Sequence, residues 1–155
     1  MEENNNIKLS IREINENSFT IRQLPLPMDQ IQFGENLSFR FGFMFNINLE
    51  NEEFGFNTSI QYLIIDFENP VIELEVGMIF DIKNLAKVVQ YDNEGQYQIN
   101  DEFLATLTGI CIGTVRGILA ANTKGNPLAK FPLPIINPKE LIEQMNKQPG
   151  EEEKD

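Results

Sequence analysis

The feature that most constrains the fold is an unbroken alternation of apolar and other side chains from Leu37 to Leu49. Every odd-numbered position in this run is apolar, and most of the even-numbered positions are polar or glycine. A helix turns by about 100° per residue, so side chains two positions apart cannot share one helix face. Successive side chains of a strand point to opposite faces of the sheet. The run therefore predicts a long strand with one apolar, largely aromatic face.

Shorter alternations predict three more strands, over residues 7–21, 54–64 and 72–82. Polar turns at 48–53 and 68–70 join the last three strands, and a loop with Pro25, Pro27 and Gly34 precedes them. Connections of this kind predict an antiparallel meander, in which each strand pairs with the next along the chain. Because the apolar residues recur at every second position, we expect the sheet to have one apolar face.

The pattern changes from strands to helices in the second half of the chain. The polar segment 91–100 predicts a connecting loop. A long helix is predicted over Glu102–Asn122, with Asn100 or Asp101 as its N-terminal cap.

Prolines interrupt the segment that follows the long helix. Residues 131–137, called the crossover below, contain Pro132 and Pro134 and are predicted to be extended, because proline is excluded from helix interiors. Pro138 can open a second, short helix over residues 139–147. The predicted fold class is α+β: a four-stranded antiparallel sheet, a long helix, an extended proline-containing crossover and a short second helix, with the helices on one face of the sheet.

The length and the charge of the chain limit its organisation and its partners. A length of 155 residues predicts one domain, placed at residues 1–148, with a disordered acidic tail at 149–155. Acidic residues outnumber basic ones 24 to 12, and the formal net charge of −12 argues against binding to nucleic acid or anionic lipid. The acidic start of the chain is unlike a secretory signal, and the most apolar stretch, 109–121, is shorter than the roughly 20 residues of a membrane span. We therefore expect a cytoplasmic protein without membrane insertion.

The chain lacks the residues that most catalytic and metal sites need. It has no histidine, and its one cysteine, Cys111, can form neither an internal disulfide nor a cysteine zinc cluster. Nucleophile-elbow, nucleotide-binding and metalloprotease motifs are absent from the sequence. The one notable carboxylate pair, Glu73 and Glu75, shares a strand face, and a solvated outer face of the sheet explains it. These observations predict that the protein is not an enzyme and holds no metal and no cofactor.

The predicted long helix has a stripe of small residues on one side. The members of this small-residue ridge recur at every fourth position: Ala105, Gly109, Gly113, Gly117 and Ala121. The other side carries bulky residues that we expect to pack on the sheet: Leu104, Leu107, Cys111, Val115 and Ile118. Each internal glycine costs about 1 kcal/mol relative to alanine, so close packing on the ridge must offset that cost. We expect the ridge to lie in a subunit contact of a homo-oligomer, with packing against the chain's own second helix as the alternative.

Four features of the chain occur together in one known family. The first is the order of elements, and the second is the crossover, where Phe131-Pro132 is followed by Pro138 at the start of the second helix. The weaker two are the segment 75–80 on the fourth strand and Arg116-Gly117 in the long helix. In these features the chain resembles the SecB family of tetrameric bacterial protein-export chaperones and its SecB-like relatives.

The resemblance implies a cytosolic holdase that binds unfolded polypeptide clients through apolar contacts and without a nucleotide. It also implies a tetramer built as a dimer of dimers, and docking of the export motor ATPase on Glu73 and Glu75. The residues expected to bind clients are Phe43, Phe45, Phe131, Leu133, Ile135, Leu141, Ile142 and Met145. Each of these side chains could instead close the core.

Two other functions stay open at this point. A dedicated adaptor, such as an antitoxin-associated chaperone, would use the same fold to guard a single partner. A hotdog-type thioesterase also combines a helix with an antiparallel sheet. Its central helix precedes most of its strands, however, whereas the helix predicted here follows all of them.

Overall fold

The computed structural model describes residues 6–146, and its framework is a four-stranded antiparallel sheet followed by two helices. The strands of the sheet are β1 (Lys8–Ile21), β2 (Leu37–Asn48), β3 (Glu53–Ile64) and β4 (Ile72–Lys83). After them come a small hairpin of β5 (Val89–Tyr91) and β6 (Tyr97–Ile99), the helix α1 (Asp101–Asn122) and the helix α2 (Pro138–Asn146). The predicted α+β class and the predicted order of elements are confirmed. The tail predicted over 149–155 lies outside the described residues.

The predicted meander is wrong at one strand. The order of strands in the sheet is β1-β4-β3-β2, so only β2, β3 and β4 follow one another as hairpins. β1 lies beside β4 and pairs with it antiparallel, with Leu9 opposite Ile82 and Ile21 opposite Ile72. This is a Greek-key order. An alternation of side chains shows which face a residue takes, but it carries no information on which strand lies alongside.

The core lies between the sheet and α1. The even-numbered side chains of β3 and β4 are buried from Phe54 to Ile64 and from Ile72 to Ile82. The bulky residues predicted on α1 cover these side chains, although Ile118 is only half-buried. Ile112 and Leu119, which were not predicted, are buried as well. Asn100 caps the helix as predicted, because its side-chain oxygen accepts a hydrogen bond from the Phe103 N–H at 3.0 Å.

The segment 91–100, which was predicted as a loop, contains β6 and the last residue of β5, and the two strands form a small hairpin. β5 pairs with β6 in register from Val89 opposite Ile99 to Tyr91 opposite Tyr97. In the turn, the Asp92 carboxylate accepts hydrogen bonds from the backbone N–H groups of the residues two and four positions later, at 2.8 and 2.9 Å. Strands of three residues are too short to show an alternation, so the sequence did not reveal them.

α1 meets the length and composition of a membrane span, with a mean hydropathy of 1.7 over its most apolar window. The expectation drawn from the stretch 109–121, that the apolar sequence is too short for a membrane span, is therefore wrong for α1, because the whole helix of 22 residues meets the criterion. Core helices that pack on a sheet meet the same criterion, and 44% of this window is buried inside the fold.

Candidate functional site

β2 forms one edge of the sheet, and part of its backbone has no hydrogen-bond partner among the described residues. The odd-numbered residues of β2 turn their backbone groups away from β3, since the Leu37 N–H donates to Gln32 and the Leu37 C=O accepts from Gly34. At the other end, the Ile47 C=O accepts a hydrogen bond from the Tyr97 hydroxyl at 2.9 Å. Between these ends, the outward N–H and C=O groups form no hydrogen bond within residues 6–146, at Phe39, Phe41, Phe43 and Phe45. We call residues 39–45 the open edge.

The opposite edge of the sheet, β1, is built differently. Its pairing with β4 shifts register twice, between Ile11 and Glu13 and between Glu16 and Ser18. β1 also carries four charged side chains. Bulges and charges on an edge strand oppose the addition of another strand. The open edge pairs with β3 without a register shift, and Arg40 is its one charged residue. Of the two edges, β2 is therefore the less protected against the addition of a further strand.

A row of aromatic rings lies along the open edge, on the face of the sheet that α1 covers. The ring centroids of Phe41 and Phe43 are 4.9 Å apart, and Phe43 lies 4.9 Å from Phe56 of β3. Phe45 lies 5.0 Å from Phe56 and 5.6 Å from Phe54. Phe54 and Phe56 are buried, whereas Phe45 is 39% exposed and the other two rings are half-buried. Two buried rings thus support a row of partly exposed ones.

Two of the predicted client-binding residues, Phe43 and Phe45, belong to this aromatic row. Phe39 and Phe41 belong to the same edge and were not predicted as site residues. Their odd positions in the alternation already placed them on the apolar face. What distinguishes them is that no further strand lies beside them in the part of the chain that the structure describes. This follows from the order of strands in the sheet rather than from the sequence of β2.

The crossover reaches the open edge through Phe33. The Phe33 ring centroid lies 5.6 Å from that of Phe131, 5.4 Å from that of Tyr62 and 6.5 Å from that of Phe39. The Tyr62 hydroxyl also donates a hydrogen bond to the Phe131 C=O at 2.8 Å. Phe131, a predicted client-binding residue, is half-buried in these contacts. A chain of ring contacts therefore connects the crossover to the open edge.

The other predicted client-binding residues lie in different environments. Leu133 and Ile142 are 3% and 8% exposed, so their placement favours the alternative interpretation that they close the core. Leu141 is half-buried, and Ile135 is 97% exposed. The side chain of Met145 lies outside the described residues. Of this group, Ile135 presents the most apolar surface.

A hollow of about 590 Å³ lies where the open edge ends. Its walls come from β2, β6 and the start of α1, and they include Phe45, Ile47, Tyr97 and Leu104. The exposed ring of Phe45 belongs to both the aromatic row and this hollow. The surface past the last open backbone group is therefore partly apolar and partly polar, because Gln98 and Asp101 also line the hollow.

The small-residue ridge has two different surroundings. Ala105 is buried, and a Cβ added at Gly109 would lie 3.5 Å from the Pro138 ring at the start of α2. A Cβ added at Gly113 or Gly117 would meet nothing within 4 Å, and Ala121 is exposed. The first half of the ridge thus packs within the subunit, and the second half faces outward.

Glu73 and Glu75 lie on the sheet face opposite to α1, and their surroundings differ. The Glu73 carboxylate accepts hydrogen bonds from Arg22 at 2.8 Å and from Gln61 at 3.3 Å. Glu75 is exposed and forms no ion pair or hydrogen bond through its side chain in the described part of the chain. The unshared negative charge of the pair is therefore that of Glu75.

The titratable groups in the interior are held in their neutral forms. Burial raises the pKa of the Cys111 thiol to about 12, with an opposing contribution from a hydrogen bond with Thr58. Burial also raises the pKa of the Tyr62 phenol, and the positive charge of Arg116 opposes that shift. Residues 6–146 contain no cluster of three or more acidic or cysteine side chains that could hold a metal ion. The chemistry that the site offers is backbone hydrogen bonding beside aromatic surface.

No protein-family model and no curated protein matches this chain. Among solved structures, the chain is similar to the Mycobacterium tuberculosis Rv1957 SecB-like chaperone, solved in complex with a ChAD peptide from the Rv1956 HigA1 antitoxin. The sequence identity is 16% and the TM-score is 0.45, and the match covers 83% of this chain and 86% of that one. A likeness of this size does not assign the chain to a family.

Proposed function

We propose that the protein is a holdase chaperone that binds unfolded polypeptides in extended conformation along the open edge. The observation that carries this proposal is the coincidence of unpaired backbone groups and partly exposed aromatic rings in residues 39–45. A partner that uses both must have a free backbone and apolar side chains at alternate positions. Unfolded polypeptides have free backbone groups, whereas those of folded proteins are already paired.

An extended client segment would add to β2 as a further strand. Its backbone hydrogen bonds would be the same for every residue type except proline, so they bind a segment without selecting its sequence. Every second side chain of the added strand would point to the aromatic row. The site therefore favours segments with apolar residues at alternate positions, which are the segments that aggregate most readily when unfolded.

The charge of the chain is consistent with this function. An unprotected edge strand invites pairing between copies and aggregation. The net charge of −12 opposes non-specific association of the molecules through this edge. We propose that clients bind and dissociate by mass action, without a nucleotide and without a cofactor.

The experiment that tests the proposal is suppression of the aggregation of a chemically unfolded client. Phe43→Ser removes one ring of the aromatic row, and Met44→Ser is the matched control because Met44 is 72% exposed on the other face of the same strand. We expect the wild type and Met44→Ser to suppress aggregation and Phe43→Ser to lose most of this activity. A thermal melt of each variant establishes that it is folded. A wild type that leaves aggregation unchanged contradicts the proposal.

A dedicated adaptor for a single partner, such as an antitoxin-associated chaperone, would use the same open edge. Affinity capture with wild type and with Phe43→Ser separates the two functions. Many unfolded precursors that are captured only by the wild type indicate a general holdase. One stoichiometric partner indicates an adaptor. The thioesterase interpretation is not favoured, because α1 follows all four strands of the sheet.

We also propose that the protein is a cytoplasmic homo-oligomer, a tetramer built as a dimer of dimers. The outward half of the small-residue ridge supports this, since Gly113 and Gly117 have no neighbour within 4 Å of an added Cβ. Docking of the export motor ATPase on the Glu73 and Glu75 face is a further proposal, supported by the unshared charge of Glu75. The lone, buried Cys111 is consistent with a reducing compartment.

A further inference from the structure

The β5–β6 hairpin lies beside the end of β2 but forms a two-stranded sheet of its own. Its base is fixed, because Val89 is buried and the Asn100 N–H donates to the Val88 C=O at 2.8 Å. Beyond that base, most of its residues are exposed. The hollow of about 590 Å³ lies between β6, β2 and the start of α1. The outer part of the hairpin is therefore next to β2 without pairing with it.

One hydrogen bond connects this hairpin to β2. The Tyr97 hydroxyl donates to the Ile47 C=O at 2.9 Å, and residues 6–146 contain no second hydrogen bond between the hairpin and β2. Tyr91 lies opposite Tyr97 in the hairpin, with the ring centroids 4.4 Å apart and the hydroxyl groups in contact. Because the Tyr97 hydroxyl donates its proton to Ile47, its oxygen is the acceptor for the Tyr91 hydroxyl. Tyr91 thus supports Tyr97, and Tyr97 is the residue that bonds β2.

The Tyr97 oxygen occupies the position that a donor of an added strand would take. Ile47 is odd-numbered, so its C=O points outward from the edge of the sheet like those of Phe39 to Phe45. In a sheet, such a C=O accepts a hydrogen bond from an N–H of the neighbouring strand, with the nitrogen about 2.9 Å away. The phenol oxygen lies at this distance from the Ile47 oxygen. A strand added along the open edge therefore meets Tyr97 as soon as it passes Phe45.

The two ends of the open edge are closed by different kinds of group. At Leu37, both backbone groups are bonded by the backbone of Gln32 and Gly34, at 3.1 and 3.0 Å. That closure belongs to the fold of the loop, so no side-chain substitution removes it. At Ile47 the closing group is one side chain, that of Tyr97, which is 37% exposed. The Ile47 end is therefore the end at which a single residue sets the limit.

We propose that Tyr97 is a specificity-determining residue, which stops the added client strand at Phe45 and so sets the length of extended polypeptide that pairs with β2. The inference rests on the proposed function and deepens it, because backbone pairing alone selects neither the sequence nor the length of a client. A segment of about seven residues, paired with residues 39–45, uses every open backbone group. Client residues beyond that segment leave the ladder at Tyr97.

The first measurement compares the dissociation constants of three fluorescent peptides with apolar residues at alternate positions. One is a heptapeptide, and the other two carry two further residues at its N-terminus or at its C-terminus. Both extensions are needed, because an added strand can run in either direction along β2. The variants are Tyr97→Phe, which removes the hydroxyl alone, and Tyr97→Ala, which removes the ring as well. Tyr91→Phe is the matched control, since it removes a hydroxyl from the same hairpin that forms no hydrogen bond with β2 among residues 6–146.

We expect the wild type and Tyr91→Phe to bind all three peptides with the same affinity. Tyr97→Ala should bind at least one of the extended peptides about two- to tenfold more tightly than the heptapeptide, which is the effect of one further hydrogen bond, now to the Ile47 C=O. Tyr97→Phe should show a smaller gain, because its ring remains beside the edge. A thermal melt of each variant establishes that it is folded, and where Tyr97→Ala does not fold, the gain in Tyr97→Phe decides.

Other results contradict the inference or its premise. A wild type that binds an extended peptide more tightly than the heptapeptide overturns the stop at Tyr97 and leaves the open edge intact. A folded Tyr97→Ala that binds all three peptides equally also overturns it, and so does a gain in Tyr91→Phe as large as that in Tyr97→Phe. A wild type that binds no peptide overturns the proposed function itself.

The second measurement needs no client. A spin label on Gln90→Cys, at an exposed position of β5, reports the motion of the hairpin, and the buried, neutral thiol of Cys111 does not compete for the label. We expect Tyr97→Phe to increase the mobility of the label and Tyr91→Phe to leave it nearly unchanged. Unchanged mobility in Tyr97→Phe would show that this hydroxyl does not hold the hairpin on β2, and the stop would be overturned with it.

Discussion

The Tyr97 hydroxyl donates a hydrogen bond to the Ile47 carbonyl oxygen at 2.9 Å, and this bond ends the open edge. The hydroxyl of Tyr91 contacts that of Tyr97, so the β5–β6 hairpin is tied to β2 through its two tyrosines. At the other end of the edge, loop residues before β2 bond the backbone of Leu37. Between these two contacts, the outward backbone groups of residues 39–45 form no hydrogen bond within the described part of the chain, so the client strand that we propose would be short.

The backbone of the open edge is tested by Phe43→Pro against Phe43→Ala. Both remove the ring, but only proline also removes the outward N–H, which the fold itself does not use, and proline is tolerated on edge strands at such positions. We expect the proline variant to bind an extended peptide about two- to tenfold more weakly than the alanine variant, because one hydrogen bond contributes about 0.5–1.5 kcal/mol. Fluorescence anisotropy measures the difference. Equal affinities would exclude strand addition while leaving binding to the rings possible.

The small-residue ridge is tested by Gly113→Leu, with Gly109→Leu as its matched control. A Cβ at position 113 would meet nothing within 4 Å among residues 6–146, so we expect this variant to split the oligomer and to keep its thermal stability. A side chain at position 109 meets Pro138 at 3.5 Å and should destabilise the subunit itself. Light scattering gives the mass and a thermal melt gives the stability. A wild type that is monomeric would show that the outward half of the ridge has no partner copy.

The acidic face is tested by Glu75→Lys in a binding assay with the export motor ATPase. The charge of Glu75 is unshared, whereas that of Glu73 is engaged by Arg22. We expect Glu75→Lys to weaken binding severalfold and to flatten its dependence on salt, because exposed charges are screened over about 8 Å at physiological ionic strength. Glu68→Lys, on the exposed turn between β3 and β4, carries the same charge change and is the control. Identical isotherms for the two variants would remove this face from the docking site.

The dependence of the free energy of unfolding on pH above pH 9 involves Cys111. Its pKa is about 12 in the folded protein against an ordinary 9.0, so the folded state retains its proton where the unfolded state has lost it. The stabilising contribution is therefore complete below pH 9 and is lost as the pH rises from 9 towards 12, by at most about 1.4 kcal/mol per pH unit. Tyr62, whose pKa is also raised, adds to this loss above about pH 10. Urea midpoints at pH 8 to 10 should fall less steeply for Cys111→Ala than for the wild type. Parallel curves would show that this thiol is not shielded from solvent.

Much of the fold could be predicted because its signals are local. The alternation from Leu37 to Leu49 predicts a strand in any surroundings, since side-chain direction follows from the backbone of the strand alone. The cap at Asn100 and the proline at position 138 predict the first residues of α1 and α2 to within one position. The same alternation identified Phe43 and Phe45 as part of an apolar face.

The sequence by itself determined which segments are strands and helices and which face of each is apolar. Only the tertiary structure decided that β1 lies beside β4. This order leaves β2 at an edge, where the outward backbone groups of Phe39 and Phe41 have no hydrogen bond among residues 6–146. The tertiary structure also decided that Arg116 reaches the crossover seventeen and eighteen residues later in the chain. The physical reason is the distance along the chain over which each kind of interaction acts. Dihedral preferences and side-chain periodicity act within a few residues, whereas pairing partners and side-chain hydrogen bonds depend on which distant segments the burial of the apolar faces brings together.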